Sequence, residues 1–285
     1  MKLIITLISL MLERYIDIDK LLQRFNWWPC YLAVMRKFIK SESLWRGWLG
    51  VALVLLPPVI AIFVAVWIIQ GLLHGVGELI LGVIVLVYCM GPTSILHQMK
   101  QWELAEDREQ REQLFHTITG ETWTDDAGAQ VDETLAKCVF KQTYQGIFGI
   151  IFWFIVFGPV GAVLYRSAQQ LSLAAANKGS DNNEMSAQAN LLLELLDWIP
   201  VRLTTLIFSL VGDFNTSFSI WWQKARMGLG AADDVVYEVS LAALSQSCKA
   251  TKDFQQSQAA FRLVERGLIV AVVILAIFTL GALIS

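Results

Sequence analysis

Charge is what this chain has least of. Lys, Arg, Asp and Glu fill 16% of its 285 positions against 55% apolar residues, where soluble domains carry roughly a quarter charged. That leaves too little polar surface for two soluble domains and predicts a multi-pass membrane protein. A positive excess is also missing. The 22 Lys and Arg face 25 Asp and Glu, a formal net charge of −3, so no overall field favours nucleic acid and that partner is excluded. Cysteine is sparse: Cys30, Cys89, Cys138 and Cys248 stand far apart with no CxxC pair, which argues against a zinc ribbon or disulfide framework and for buried thiols. No GxxxxGK[ST], HExxH or GxSxG signature occurs, and His74, His97 and His116 are scattered. No catalytic residue, metal site or cofactor is therefore predicted. Gly228 and Gly230 in MGLGAAD lack the third glycine of a dinucleotide fingerprint. A secretory leader is missing too, because the apolar run Leu3 to Leu12 ends in Glu13-Arg14 where small residues would mark a cleavage site. Such a run covers roughly 15 Å as helix, about half a hydrocarbon core, so it is expected to dip into the membrane or pack on other helices.

What is present is a set of charge-free windows: Gly47 to Gly77, Leu79 to Met99, Gln142 to Tyr165, and Gly267 to Ser285. Each is long enough to span, and a Lys, Arg or Asp at mid-bilayer costs about 3 kcal/mol. Pro57-Pro58 and Gly158-Pro159 are expected to kink the first and third. The first two join so tightly around Gly71, His74, Gly75 and Gly77 that a helical hairpin is predicted; the GxxxG match of Gly71 and Gly75 reads as turn packing or as a dimer face. No Lys or Arg falls between Gly47 and Met99, whereas Glu13 to Arg46 holds seven, which places the hairpin tip outside and its flanks in the cytoplasm.

The prediction is an all-α, multi-pass transmembrane helical bundle with four long spans, two short or broken membrane segments (3–12 and 198–212) and a small helical cytoplasmic subdomain. It forms one membrane domain over 1–285, with a charged helical cytoplasmic insert at 100–141, a polar linker at 177–190 and a polar amphipathic helical region at 213–266. Eight tryptophans, Trp27, Trp28, Trp45, Trp48, Trp102, Trp198, Trp221 and Trp222, lie near the ends of apolar runs, as expected of rings at headgroup level.

Acidic clusters such as Glu103 to Glu112, Asp125-Asp126 and Asp132-Glu133 are interleaved with basic or polar residues and read as solvated faces rather than Mg²⁺ ligands. Cations at the ends of apolar runs are more informative: Lys141 beside Gln145, Arg166 after Tyr165, and Arg202 in LLDWIPVRLTTLIFSL. With Asp197 as cap and Pro200 in the first turn, Arg202 would sit near a helix N-terminus, where the dipole repels it unless Asp197 or a bound anion compensates. The competing reading is an arginine that snorkels to lipid headgroups.

The segment DWIPVRLTTLIFSLVGDF resembles the D-W-x-P-V-R-L stretch of the AmpE family, inner-membrane proteins associated with β-lactamase induction. ERYID, ITGET, FWFIVFGPVGAVLYR and GALIS stand in comparable order. That family is similar to the CobD/CbiB synthases of the cobalamin pathway, which use ATP to join aminopropanol phosphate to a corrinoid carboxylate and carry P-A-R-L where Pro200, Val201, Arg202 and Leu203 stand here. Against the synthase pattern E-N-T-x-D-G this chain has KQTYQG, and against Y-K-x-x-N-x-L-D it has YRSAQQLS. Lys141, Gln145, Gln169 and Ser172 thus replace carboxylates and their polar neighbours. Without those carboxylates Mg²⁺-dependent activation of ATP is hard to run.

The resemblance therefore implies a non-enzymatic regulatory protein of the bacterial inner membrane, linked to cell-wall recycling. It would bind an anionic ligand bearing phosphate or carboxylate, such as a muropeptide or a lipid. Arg202 and Arg166 would clamp the anion, Asp197 would orient Arg202, Pro200 would set the helix start, and Tyr165, Lys141 and Gln145 would line the site. A cytosolic muropeptide amidase and membrane lipids are the implied partners. Two alternatives stay open: an ATP-dependent amide-forming enzyme with displaced carboxylates, and a transporter of an anionic small molecule or lipid.

Overall fold

Apolar runs punctuated by Gly and Pro fold as helix. The computed structural model describes residues 2–15, 28–38, 47–72, 76–90, 95–105, 107–123, 128–176, 183–226, 228, 230–244 and 255–284, and among these there is no strand. His74, Gly75, Trp27, Trp45, Asp125-Asp126, residues 177–182 of the polar linker, Cys248, Lys249 and Lys252 lie outside the described residues. The chain divides into two units, Met1–Pro92 with Gly149–Asp197 and Thr93–Phe148 with Trp198–Ser285.

The first unit contains α1 (Lys2–Tyr15), α2 (Trp28–Phe38), α3 (Gly47–Leu72), α4 (Val76–Met90), α8 (Gly149–Phe157), α9 (Pro159–Ala176) and the start of α10 (Asn183–Val211). The N-terminal run packs along α4, where Gly82 lets Ile5 approach so closely that a Cβ there would stand 2.8 Å from its Cδ1. Trp28, Leu32, Val51, Val54, Leu55, Leu171, Met185 and Ala189 form a core. The rest of α3 turns Leu56, Ile60, Phe63 and Trp67 outward, as expected of a helix whose outer solvent is lipid.

Two of the prolines inside these helices, Pro58 and Pro200, free a carbonyl that a side chain then satisfies. Pro58 lacks the N–H that would serve Val54, and the Tyr31 hydroxyl donates to the Val54 carbonyl at 2.8 Å. Pro200 likewise frees the Leu196 carbonyl, to which the Trp153 indole donates at 3.1 Å. Here the sequence expectation is corrected. The segment after Asp197 is not the start of a short helix but the interior of the 29-residue α10, because the freed carbonyl is satisfied from the side and the helix continues through Pro200. Thr204 and Thr205 add back-bonds to the carbonyls of Pro200 and Val201, both at 2.7 Å.

The second unit holds α5 (Ile95–Leu104), α6 (Arg108–Thr119), α7 (Gly128–Thr143) with a π-helical turn over Tyr144–Phe148, the end of α10, α11 (Phe214–Lys224), α12 (Ala232–Ala243) and α13 (Gln255–Ile284). Asp132 proves to be structural rather than solvated. It is 8% exposed, and its carboxylate accepts the backbone N–H groups of Gln256 and Ser257, each at 2.8 Å, capping α13 from the neighbouring α7. Trp102, expected at an interface, is buried and stacks on Trp123 with centroids 6.0 Å apart. Phe208 packs between Phe140 and Phe148 at 5.9 and 5.7 Å.

Among the described residues two helices are long and apolar enough to cross a membrane, Gly47–Gly71 and Gln130–Phe157, where the sequence predicted four. Of the second expected span, the described residues form the 15-residue α4, Val76–Met90, and then Ile95–Met99 within α5. The third begins earlier than expected and is divided at Gly158, whose φ of 68° is open to glycine, so α9 starts afresh at Pro159. The fourth apolar run forms the latter part of α13.

Candidate functional site

The seven sequence-predicted site residues fall in both units: Tyr165, Arg166 and Asp197 in the first, and Lys141, Gln145, Pro200 and Arg202 in the second. Each group forms its own polar arrangement.

In the first unit, α9 carries Tyr165, Arg166 and Gln169 at helical spacing, and α10 brings Asp197. The Tyr165 hydroxyl donates to the Asp197 carboxylate. Both residues are fully enclosed, at 0% and 2% exposure. Gly149 makes room for this pair, since a Cβ there would overlap the Tyr165 ring and hydroxyl. Gln169 is also buried and bridges the group: its side chain hydrogen-bonds to the Tyr165 hydroxyl, while its Oε1 accepts from Arg166 Nη1 at 3.1 Å. The result is a chain of bonds from Arg166 through Gln169 and Tyr165 to Asp197. Asp197 thus engages a phenol of its own unit. The ionisable neighbours of the Arg166 guanidinium are Cys89, Tyr88 and Tyr165, groups neutral in their ordinary state near pH 7. Among the described residues no carboxylate pairs with it.

In the second unit, the π turn follows Lys141 and Thr143 directly. Its Tyr144 hydroxyl donates to Asp233 Oδ1 at 2.6 Å, Gln145 Nε2 donates to the Tyr144 hydroxyl at 3.1 Å, and Lys141 Nζ meets Asp233 Oδ2 at 2.5 Å. Lys141 and Gln145 are therefore brought together through Tyr144 and Asp233, neither of which the sequence reading placed in a site. A π turn often marks a functional position, and the glycines of TYQGIFG were its faint trace in the sequence. Next to this, Glu133 bridges Lys137 at 2.7 Å and Tyr237 at 3.1 Å, and burial pushes the Tyr237 phenol above its ordinary range.

Arg202 makes its contacts on α10 and at the end of α11. Its Nε donates to the Ala225 carbonyl at 2.9 Å, its Nη1 to the Trp198 carbonyl at 2.7 Å, and its guanidinium sits 4.2 Å from the Trp198 ring centroid. Ala225 is the C-terminal cap of α11. The cation thus stands at a helix C-terminus, where the dipole attracts it, and not at the N-terminus that the sequence suggested. The Pro200 carbonyl accepts from the Thr204 hydroxyl at 2.7 Å. Among the described residues no three His, Cys, Asp or Glu side chains converge.

The described elements are helical, with apolar side chains such as Phe63, Trp67 and Ile277 exposed, and two of the helices are long and apolar enough to cross a membrane. Residues 1–284 match the family described as regulatory signalling modulator protein AmpE, and the chain belongs to that family. It is similar to protein AmpE of Shigella flexneri, 24% identical over 229 residues, 75% of this chain and 78% of that one. It is also similar to the cobalamin biosynthesis protein CobD of Chromobacterium violaceum, 28% identical over 194 residues that make up 65% of this chain and 60% of that protein. A second CobD, from Stutzerimonas stutzeri, is 26% identical over 104 residues, 35% of this chain and 34% of that one. The chain thus spans less than two thirds of either CobD. No solved structure matches.

Proposed function

We propose that this protein is a multi-pass regulatory protein of the bacterial inner membrane that senses an anion through Arg166. The observation that carries the reading is the Arg166 guanidinium, held by Gln169 among Tyr88, Cys89 and Tyr165 and paired with no carboxylate among the described residues. An arginine so placed has a strong electrostatic incentive to take a phosphate or carboxylate. Tyr165 and Asp197 hold Gln169 and with it the cation, so they position rather than bind. Arg202 and Pro200 shape the second unit, and Lys141 and Gln145 contribute through Tyr144. The apolar runs of α3, α4, the α7–α8 helix and α13 are the four membrane crossings, with 100–141 and 213–266 facing the cytoplasm. A muropeptide is the ligand class that fits a family linked to β-lactamase induction, and a cytosolic muropeptide amidase is the corresponding partner.

The test is the thermal unfolding of the purified, detergent-solubilised chain with inorganic phosphate, acetate and a muropeptide fragment. An anion should raise the midpoint of the native chain and leave that of Arg166→Gln unmoved, and the same variant should lose its effect on β-lactamase induction in cells. Equal shifts in both proteins would remove Arg166 from the site. The similarity to CobD supports a second reading, an ATP-dependent amide-forming enzyme. Saturable, Mg²⁺-dependent ATP binding would favour it over the regulatory one.

A further inference from the structure

From the C-terminal end of α11 we infer a binding site for the headgroup of an anionic phospholipid, separate from the Arg166 site. The proposal rests on the membrane reading above. α11 is short and carries a ladder of rings: Phe214 stacks on Phe218 at 4.9 Å, and Phe218 meets Trp221 at 5.6 Å and Trp222 at 6.4 Å. This ladder is not enclosed by the fold, for Trp222 is 55% and Phe214 44% exposed. Within the same unit α10 turns Trp198, Leu203 and Leu210 outward as well. Short helices with exposed aromatic rings rest at the level of lipid headgroups, their apolar face among the acyl chains.

Two arginines meet where this helix ends. Arg202 donates to the Ala225 carbonyl and lies on Trp198, while Arg226, the next residue after Ala225, lies 5.4 Å from the Trp222 ring centroid. Each guanidinium is thus backed by an indole. The arrangement leaves planar, weakly hydrated cations beside exposed rings, a combination suited to a phosphodiester at the membrane surface. Lys224 completes the basic end, although Glu238 holds it at 2.7 Å. Asp213, the acidic residue of α11, caps the opposite end of the helix. The charge complementarity is therefore to a lipid with net negative charge, and zwitterionic phosphatidylcholine fits it poorly.

The test exchanges lipid on the full-length protein. The chain is extracted in mild detergent, incubated with equimolar phosphatidylglycerol and phosphatidylcholine, and its retained lipids are counted by native mass spectrometry. The wild type should keep phosphatidylglycerol in preference. Arg226→Gln, at an exposed side chain, should cut that preference about fivefold, the equivalent of the ~1 kcal/mol a basic residue contributes at an anionic surface. Arg108→Gln, an exposed cation of α6, should leave the preference intact. Arg202→Lys serves as the second variant, keeping the charge but losing the forked donors, and should reduce the preference less than Arg226→Gln does. Equal loss in Arg226→Gln and Arg108→Gln, or retained lipid with no preference for either headgroup, overturns the site while leaving the membrane reading standing. A chain that stays dispersed without detergent and keeps no lipid overturns the membrane reading and this one with it.

Discussion

Carboxylates in the two units meet a tyrosine hydroxyl in the same way but in different surroundings. Asp197 accepts from Tyr165 inside the first unit at 2% exposure. Asp233 accepts from Tyr144 in the second unit, where its side chain is 52% exposed and shares the oxygen pair with Lys141. The chemistry is alike; the solvent is not. Where water is excluded, each bond replaces hydration that cannot be recovered, so a missing partner leaves a full desolvation penalty. Where water reaches the group, it takes over when the partner leaves.

Breaking the bond at its buried end should therefore produce the largest effect. Tyr165→Phe leaves a buried carboxylate short of a donor and should lower stability by about 3 kcal/mol, read as a lower midpoint in denaturant titration of the solubilised protein. Asp197→Asn should do less than Tyr165→Phe, since an amide can still accept the hydroxyl. A smaller loss for Tyr144→Phe than for Tyr165→Phe agrees with the contrast, and an equal or larger one would overturn it.

The proline compensators come next. Trp153→Phe keeps an aromatic ring but strands the Leu196 carbonyl below Pro200, and Tyr31→Phe does the same to Val54 below Pro58. Each should cost about 1–2 kcal/mol. Restoring the helical N–H with Pro200→Ala in the Trp153→Phe background should recover most of the loss. Failure of that rescue would mean that the indole acts through packing alone. The α13 cap is a second-unit counterpart. Asp132→Ala removes the acceptor for two backbone N–H groups and should cost about 1 kcal/mol, within the usual range for a cap. Amide exchange at Gln256 and Ser257 should accelerate with it.

How much of this was legible beforehand follows from the range of each interaction. Helix is a local property of apolar runs, so the all-α class and the landmarks near Pro58, Gly158 and the last run were readable. Asp197, Tyr165 and Arg166 stood out because a charge or phenol beside grease demands a partner, but pattern alone does not say which one. Pro200 misled for a specific reason: proline predicts a helix start from its missing N–H, and the indole that removes this cost lies 47 positions earlier in the chain. Asp132 was taken for a solvated residue because its two N–H partners are more than a hundred residues distant. Asp233 or Asp234 was expected to be the N-cap of its helix, but the cap is Ala231, and Asp233 instead meets Tyr144 and Lys141 from about ninety residues earlier in the chain.

The smallest effect belongs to the exposed pair Lys141–Asp233, and it gives the comparison its sharpest test. The pair is close, 2.5 Å, yet both side chains are about half exposed, at 51% and 52%. Proximity alone would rank it first; exposure ranks it last, because water and salt screen the attraction and two long side chains lose freedom to maintain it. A double-mutant cycle of Lys141→Met and Asp233→Asn should give a coupling of about 0.2–1 kcal/mol at low salt, shrinking as ionic strength rises through a few hundred millimolar. Tyr144 separates two contributions to that number. It is 1% exposed and bonds the same carboxylate, so repeating the cycle in a Tyr144→Phe background isolates the ion pair from the anchored hydroxyl. If the coupling persists unchanged at high salt, the pair is screened from water more than its exposure implies, and the exposed half of the comparison becomes a buried one.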